Sequence, residues 1–384
     1  MRSLRRKENP LKLFMNQNDL ALMLVCLSAS LFGVLLVYSD AVTSDLGIRS
    51  AIVQAAASLM GFGVAFVMSL FDYEDLCRLW PVWMGIAATL VLLTFTPLGL
   101  NVAGTDDTAW LGIPPWSDDP FLTFQPSELL KVAFIITFAK HLDAVEDHIN
   151  TPTTLLLLAL HAGGCIGLIF LQGDDGTALV FACIILMMLI VAGLHPMILA
   201  GGAAAVAIAL PILWLNLDEQ KLARILALFH VEDYLQTEGW QQAQGLSAMA
   251  TGGFDGVGFL EGNHNGLFAR NNDFVFSIAA EEFGFIGGLM LLLILAAALT
   301  LILRTALKSR DTLGRLLCVG VMSMIGFQIL INLGMVLRVL PVIGITLPFI
   351  SAGGTSAATI WLSIGLVLSV YRTTRLRRPE RLFR

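Results

Sequence analysis

Asp273, Ser277 and Glu281 stand at i, i+4 and i+8 in the run Asp-Phe-Val-Phe-Ser-Ile-Ala-Ala-Glu-Glu-Phe-Gly. If this run is helical from Asp273, the three line one face with Glu282 beside it. Carboxylates at the mouth of an apolar helix are costly there, and their usual use is a pathway or a reaction. An aspartate within reach of a hydroxyl can act as a general base. A helix cap would account for Asp273, but not for two carboxylates two turns deeper.

Four other constellations could carry chemistry. Phe124-Gln-Pro-Ser-Glu-Leu-Leu-Lys131 places Glu128 and Lys131 at i, i+3, where they can pair on one helix face, with Pro126 suited to a first helical turn. That pair either stabilises a helix start or lines a polar cavity. In Leu171-Gln-Gly-Asp-Asp-Gly-Thr177, residues Asp174, Asp175 and Thr177 can cap the next helix or belong to a site. The stretch 239–258 carries Gln241 and Gln244 for neutral hydrogen bonding, and glycines 252, 253, 256 and 258 whose amides could approach a phosphate. Between 332 and 356, Pro341, Pro348, Gly353 and Gly354 break helicity at membrane depth. Broken backbone there must be buried in protein or face a wet cavity, and Ser351, Thr355 and Ser356 could then bind substrate or backbone.

The elements that position these residues follow from composition. The chain is 57% hydrophobic and 14% charged, with mean hydropathy +0.79, far from a soluble domain's roughly 25% charged. A span needs about 20 apolar residues. Ten candidates fall near 20–39, 48–71, 79–99, 127–142, 153–171, 177–194, 196–215, 273–303, 313–336 and 347–371. The expected fold is therefore an all-α integral membrane protein with ten transmembrane helices and a large extracytoplasmic loop, 217–272, between spans seven and eight. A basic N-terminal segment, 1–19, and a basic tail, 372–384, would flank the membrane domain, 20–371. Most of the 23 Lys and Arg residues fall on the side of the two ends, which puts both termini in the cytoplasm of a bacterial inner-membrane protein. The first apolar run is longer than a signal core of about 7–15 residues, so it reads as an uncleaved span.

The loop 217–272 holds seven acids against Lys221, Arg224 and Arg270. Structureless loops of that length are uncommon without a function. Leu222–Phe229 and Gly245–Ala250 read as short helices on the membrane face, and the segment 100–126 as an interfacial loop anchored by Trp110 and Trp116. The five cysteines are scattered with no CxxC, so neither a disulfide frame nor a zinc site is suggested. There is no GxxxxGK[ST] loop and no evident internal repeat. No nucleotide cofactor and no nucleic acid are expected; the basic ends suit membrane lipid.

Taken in order, Gln125-Pro-Ser-Glu-Leu-Leu-Lys131, Asp174-Asp-Gly-Thr-Ala178, Gly239-Trp-Gln-Gln-Ala-Gln244, Asp273-Phe-Val-Phe-Ser277 through Gly284, and Leu347-Pro-Phe-Ile-Ser-Ala-Gly-Gly-Thr-Ser356 resemble the SEDS family of bacterial cell-wall polymerases. The resemblance runs from about residue 20 to 371, with Asn332-Leu-Gly-Met-Val leaning toward the RodA-like elongation branch. It implies polymerisation of lipid II, an undecaprenyl-pyrophosphate-linked disaccharide-peptide, on the outer membrane face with a class B penicillin-binding protein as partner. It matches Asp273 to the family's essential aspartate, and Glu128 and Lys131 to its intramembrane pair. The chain departs from the family where Arg338 replaces a usual glycine, and where Phe268-Ala-Arg-Asn-Asn precedes Asp273, so that Arg270 could partly replace lost neighbours.

The chemistry fits these residue types. A sugar hydroxyl attacks an anomeric carbon, Asp273 takes its proton, and the departing pyrophosphate needs Lys131, Arg270, loop amides or a divalent cation such as Mg2+ or Mn2+. Asp174, Thr177, Gln241, Gln244, Ser277, Glu281, Ser351, Gly353 and Gly354 complete the expected substrate-binding set. A lipid-precursor transporter, or flippase, is the alternative reading.

Overall fold

The computed structural model describes residues 19–43, 48–101, 108–114, 122–215, 217–234, 237, 239–263 and 271–376. Helices form at each of the ten apolar runs. They are α1 (Leu20–Thr43), α2 (Arg49–Ser69), α4 (Trp80–Leu93), α5 (Pro126–Ala144), α6 (Pro152–Leu171), α7 (Asp175–Val191), α8 (Pro196–Leu215), α11 (Val275–Lys308), α12 (Thr312–Val336) and α13 (Gly354–Leu376). A short helix α3 (Tyr73–Arg78) precedes α4, and α9 (Glu219–Phe229) and α10 (Trp240–Gly252) lie in the large loop. Six helices (α1, α2, α6, α11, α12, α13) are long and apolar enough to cross a membrane, and α4, α7 and α8 carry shorter apolar stretches.

The core is built by α5, α12 and α13, whose residues are buried almost all round. Such helices read as apolar everywhere rather than on one stripe, because each has protein on every side. Two small residues set the closest approach, between α2 and α13. A side chain at Gly61 would come within 2.8 Å of Trp361 Cβ, and one at Gly365 within 2.9 Å of the Ala65 backbone. Glycine at both points lets the backbones meet, the use membrane helices make of small residues.

Several expectations change. The segment read as a plain interfacial loop contains a three-stranded antiparallel sheet, β1 (Gly99–Leu100), β2 (Trp110–Ile113) and β3 (Leu122–Phe124). Leu111 pairs with both Gly99 and Phe124. Helix α13 starts at Gly354 rather than 347, since Pro348 and the turn at Leu347–Ser351 exclude a helix there, and it runs on to Leu376. The second loop helix, α10, is longer than the 245–250 stretch read from the sequence, running from Trp240 to Gly252. It buries Gln242, Gly245, Ala248 and Gly252 and packs on α11 and α12.

Helix α11 differs most from the expectation. It begins at Val275, so Asp273 lies in the preceding turn and not on the helix. It is also broken at Gly284, whose φ of 64° and ψ of −163° belong to a region essentially restricted to glycine. The carbonyls of Glu281 and Glu282 accept from Val257 N (3.0 Å) and Gly258 N (3.0 Å), and Phe285 N donates to Gly253 O (2.9 Å). The glycine-rich loop thus satisfies the backbone groups freed by the break, as non-helical backbone at membrane depth requires. The Val257 and Gly258 amides are spent on this contact, and the Gly256 amide on Gly252 O (2.8 Å).

Arg338 follows α12 with φ of 57°. The left-handed region costs a non-glycine residue about 1–2 kcal/mol, which explains the glycine expected there. Arg338→Gly should raise stability by about 1 kcal/mol after the unfolded chain's gain in freedom is subtracted. A melting temperature unchanged or lowered in detergent would show that the arginine side chain compensates.

Candidate functional site

The N-termini of α5, α7, α11 and α13 and the C-terminus of α12 meet at one end of the bundle, and the irregular segment 337–353 joins them. That segment is the shared wall. Its Ile343 carbonyl would lie 2.5 Å from a Cβ at Gly176, and Gly344 (φ 71°) lies against the Asp273 carboxylate, 3.9 Å from Oδ2 to the built Cβ position. Ala352 N donates to Asn271 O (2.7 Å), and Ser351 Oγ donates to Asn272 O while accepting from Leu347 N (2.7 Å). Ser351 therefore fixes the turn that carries Asp273.

Asn332, fully buried on α12, completes that support. Its Nδ2 donates to Asp273 O and to Ile345 O, each at 2.7 Å. Asp273 itself is partly exposed. Among the described residues its carboxylate makes no ion pair or hydrogen bond, and the α11 N-terminus has no side-chain cap. A pure capping role is thereby removed. Enclosure by protein withdraws water from the carboxyl and pushes its pKa up to about 6.

The second half of the site gathers Glu128, Lys131, Asp174 and Thr177. Sheet strand β3 delivers the chain to Gln125, whose N–H donates to Thr355 Oγ1 (3.3 Å), and Pro126 opens α5. Lys131 Nζ meets Glu128 Oε1 at 2.8 Å with both side chains buried, and Thr359 Oγ1 donates to Glu128 Oε2 (3.3 Å). Gln125 Nε2 donates to Asp174 Oδ2 (2.9 Å), and Thr177 N to Asp174 Oδ1 (2.8 Å). Burial raises the Asp174 pKa, opposed first by the Thr177 hydrogen bonds and then by the charge of Lys131. Lys221 on α9 closes the outer edge through an ion pair with Asp175 (2.6 Å).

Lys131→Met should be strongly destabilising, because it strands a buried carboxylate. The loss expected for removing one member of a buried pair is about 3–5 kcal/mol. A Glu128→Gln, Lys131→Met double variant should recover much of it, and detergent melting curves of the two variants decide this.

Other expected site residues have different neighbours. Ser277 and Glu281 are buried on the first segment of α11; Ser277 faces Gly245 of α10, and Glu281 Oε1 accepts the Asn263 amide (3.0 Å). Gln241 and Gln244 are partly exposed on α10 and make no side-chain hydrogen bond among the described residues. Gly353 N donates to Gln54 Oε1 (3.0 Å), and Gly354 packs against Val53 of α2. Arg270 lies outside the described residues. Sequence reasoning missed Gln54, Gln242 and the positioning role of Asn332. All three are buried, and Gln242 Nε2 donates to the Met335 and Leu340 carbonyls at 2.8 Å each. Lone amides inside apolar runs were the available signal for Gln54 and Asn332, since such residues face the protein interior.

A multi-pass membrane protein of packed helices, with a carboxylate unpaired among the described residues and a buried ion pair at the same end of the bundle, is the class these features define. The chain belongs to the cell cycle protein family of FtsW, RodA and SpoVE, whose profile matches residues 19–376. It is 32% identical to a probable peptidoglycan glycosyltransferase FtsW of Geobacter sulfurreducens over 94% of this chain and 96% of that one. It is 28% identical to the peptidoglycan glycosyltransferase MrdB of Escherichia coli, covering 92% of this chain and 93% of that one. Among solved structures, one from a study of how a peptidoglycan synthase complex coordinates polymerization and crosslinking matches with TM-score 0.78 and 29% identity, over 93% of this chain and 98% of that one. A mutant of the rod shape determining protein RodA of Thermus thermophilus matches with TM-score 0.69 and 27% identity, over 92% and 97% of the two chains.

Proposed function

We propose that this protein is a peptidoglycan glycosyltransferase that polymerises lipid II, with Asp273 as the general base. The observation that carries this reading is the Asp273 carboxylate, unpaired among the described residues and set against the Gly344 wall at the head of α11, where burial pushes its pKa up to about 6. A base titrating near the working pH combines a large deprotonated fraction with useful basicity. It would accept the proton of the acceptor sugar's hydroxyl as the oxygen attacks the anomeric carbon and undecaprenyl pyrophosphate departs.

The leaving group needs positive potential. Lys131 is buried and already paired with Glu128, so it acts from a distance and keeps the α5 entrance in place. The converging N-termini of α5, α7 and α13 supply a second source, since helix N-termini favour anions. Among the described residues there is no group of three or more His, Cys, Asp or Glu that could hold a metal ion. The donor set therefore does not by itself make a cation site, and no step is assigned to one. Mg2+ or Mn2+ arriving on the pyrophosphate would need only one or two protein carboxylates, since magnesium is commonly held by so few together with substrate phosphates.

The ten helices at the expected positions support ten crossings, with the loop 217–272 and Asp273 on the outer face and both basic termini inside. A class B penicillin-binding protein is the partner this reading implies. The test is purified protein with lipid II, assayed for glycan polymer and, in sealed vesicles, for lipid II movement. Polymer formation supports the proposal; movement without polymer supports a transporter instead.

Acid should switch the enzyme off. The deprotonated form of Asp273 is the active one, so kcat/KM should fall as pH drops through about 6. A limb centred near the ordinary aspartate value would mean that Asp273 is not the desolvated base described above.

A further inference from the structure

At the opposite end of the bundle, the C-termini of α11 and α13 enclose a hollow of about 120 Å³ lined by Thr305, Lys308, Tyr371, Thr374 and Arg375. The two cations come from different helices. Among the described residues neither makes an ion pair or donates a hydrogen bond. Arg372, one turn from the hollow, behaves differently. Its guanidinium donates to the carbonyls of Ser69 (3.2 Å) and Leu70, closing the end of α2.

A basic residue in a helix's last turn often does no more than offset the carbonyl end of the macrodipole. Three facts go beyond that. The two cations share one concavity, and the buried Thr374 (8% exposed) and half-buried Tyr371, both hydroxyl-bearing, line it with them. The nearest acid in sequence, Asp311, is already committed, accepting from Gly314 N (2.8 Å) and from Tyr73 Oη. Among the described residues no carboxylate lines the hollow. Thr305 donates back to Leu301 O (3.1 Å), so the donors available to a ligand are Lys308, Arg375, Tyr371 and Thr374.

We propose that this hollow is a binding site for the phosphate of an anionic phospholipid headgroup. Two cations and two hydroxyls suit a phosphate diester, which accepts charge-assisted hydrogen bonds on its non-bridging oxygens. The position fits a lipid better than a soluble anion. The hollow lies where two apolar helices end, beside the exposed Leu303, Leu307 and Leu376 against which acyl chains could lie. Basic pockets between membrane helices on the positively charged face recognise such headgroups. The site lies apart from Asp273, at the far end of α11, and does not depend on the glycosyltransferase reading.

Native mass spectrometry of the full-length protein in detergent, titrated with phosphatidylglycerol or phosphatidylcholine, tests the site. The wild-type protein should retain phosphatidylglycerol about tenfold more strongly than phosphatidylcholine. The double variant Lys308→Gln, Arg375→Gln should lose that preference, and Tyr371→Phe, Thr374→Val should weaken it. Arg315→Gln, on the same basic face but outside the hollow, should keep it. An unchanged preference in the double variant would overturn the site, as would equal loss in Arg315→Gln. Inorganic phosphate displacing phosphatidylglycerol at equal concentration would overturn the lipid assignment in favour of a soluble anion.

Discussion

Asp273→Asn is expected to lower the rate of glycan polymerisation by about 10²–10⁴-fold, the usual contribution of a positioned base. The substitution is nearly isosteric, and the features that hold this turn are backbone contacts. Asn332 grips the Asp273 carbonyl, while Ser351 and Ala352 hold Asn272 and Asn271. None of these is touched, so the melting temperature should stay close to that of the parent, and lipid II should still bind. Loss of rate with intact binding and stability places the residue in the chemistry. The acidic limb of the pH profile should vanish from whatever activity remains. Polymer made at the parental rate would remove Asp273 from catalysis.

The second large effect belongs to a residue that touches no reacting group. Gly284→Ala should destabilise the protein by about 2–6 kcal/mol, combining the cost of a glycine-only conformation with overpacking. A Cβ there would lie 2.4 Å from both Gly256 N and Phe254 O. These are backbone atoms, which cannot swing aside. Relief requires the loop 253–258 to leave α11, which would orphan the carbonyls of Glu281 and Glu282. The observable is a lowered detergent melting temperature together with new proteolytic sensitivity in the loop. Parental stability would mean that the break at Gly284 is not what anchors this loop.

The two changes separate chemistry from scaffold. Asp273→Asn should remove rate and spare stability, and Gly284→Ala should remove stability and carry rate with it. Lys131→Met falls in the second class for a different reason, a stranded charge in place of a blocked backbone.

Much of this was legible in the chain. Apolar runs of about span length placed the helices, because the cost of an unsatisfied backbone in hydrocarbon leaves helix as the local solution. Polar residues inside or at the edges of those runs marked Glu128, Lys131, Asp174 and Thr177, which the fold brings together, and Asp273, which it sets against the same wall. Spacing alone erred where a single glycine mattered. The i, i+4, i+8 pattern assumes helical dihedrals from Asp273, yet the helix starts two residues later, and the long helix read beyond Glu281 breaks at Gly284. Nothing local distinguishes Gly284 from the glycines at 287 and 288, which stay helical. The loop that stabilises the break lies about 30 residues earlier, and only the folded chain brings its amides alongside.

What the sequence by itself determined is the membrane class, the helix positions and the residue types able to do acid–base work, all consequences of hydropathy and side-chain chemistry. The tertiary structure decided which polar groups are spent on structure and which are left for function. Ser351, Gln242, Glu281 and the amides of Gly256, Val257 and Gly258 hold backbone, whereas the Asp273 carboxylate has no partner among the described residues. The physical reason is that a hydrogen-bonding group's role depends on what reaches it across the fold, and partners tens to hundreds of residues away leave no mark in the local sequence.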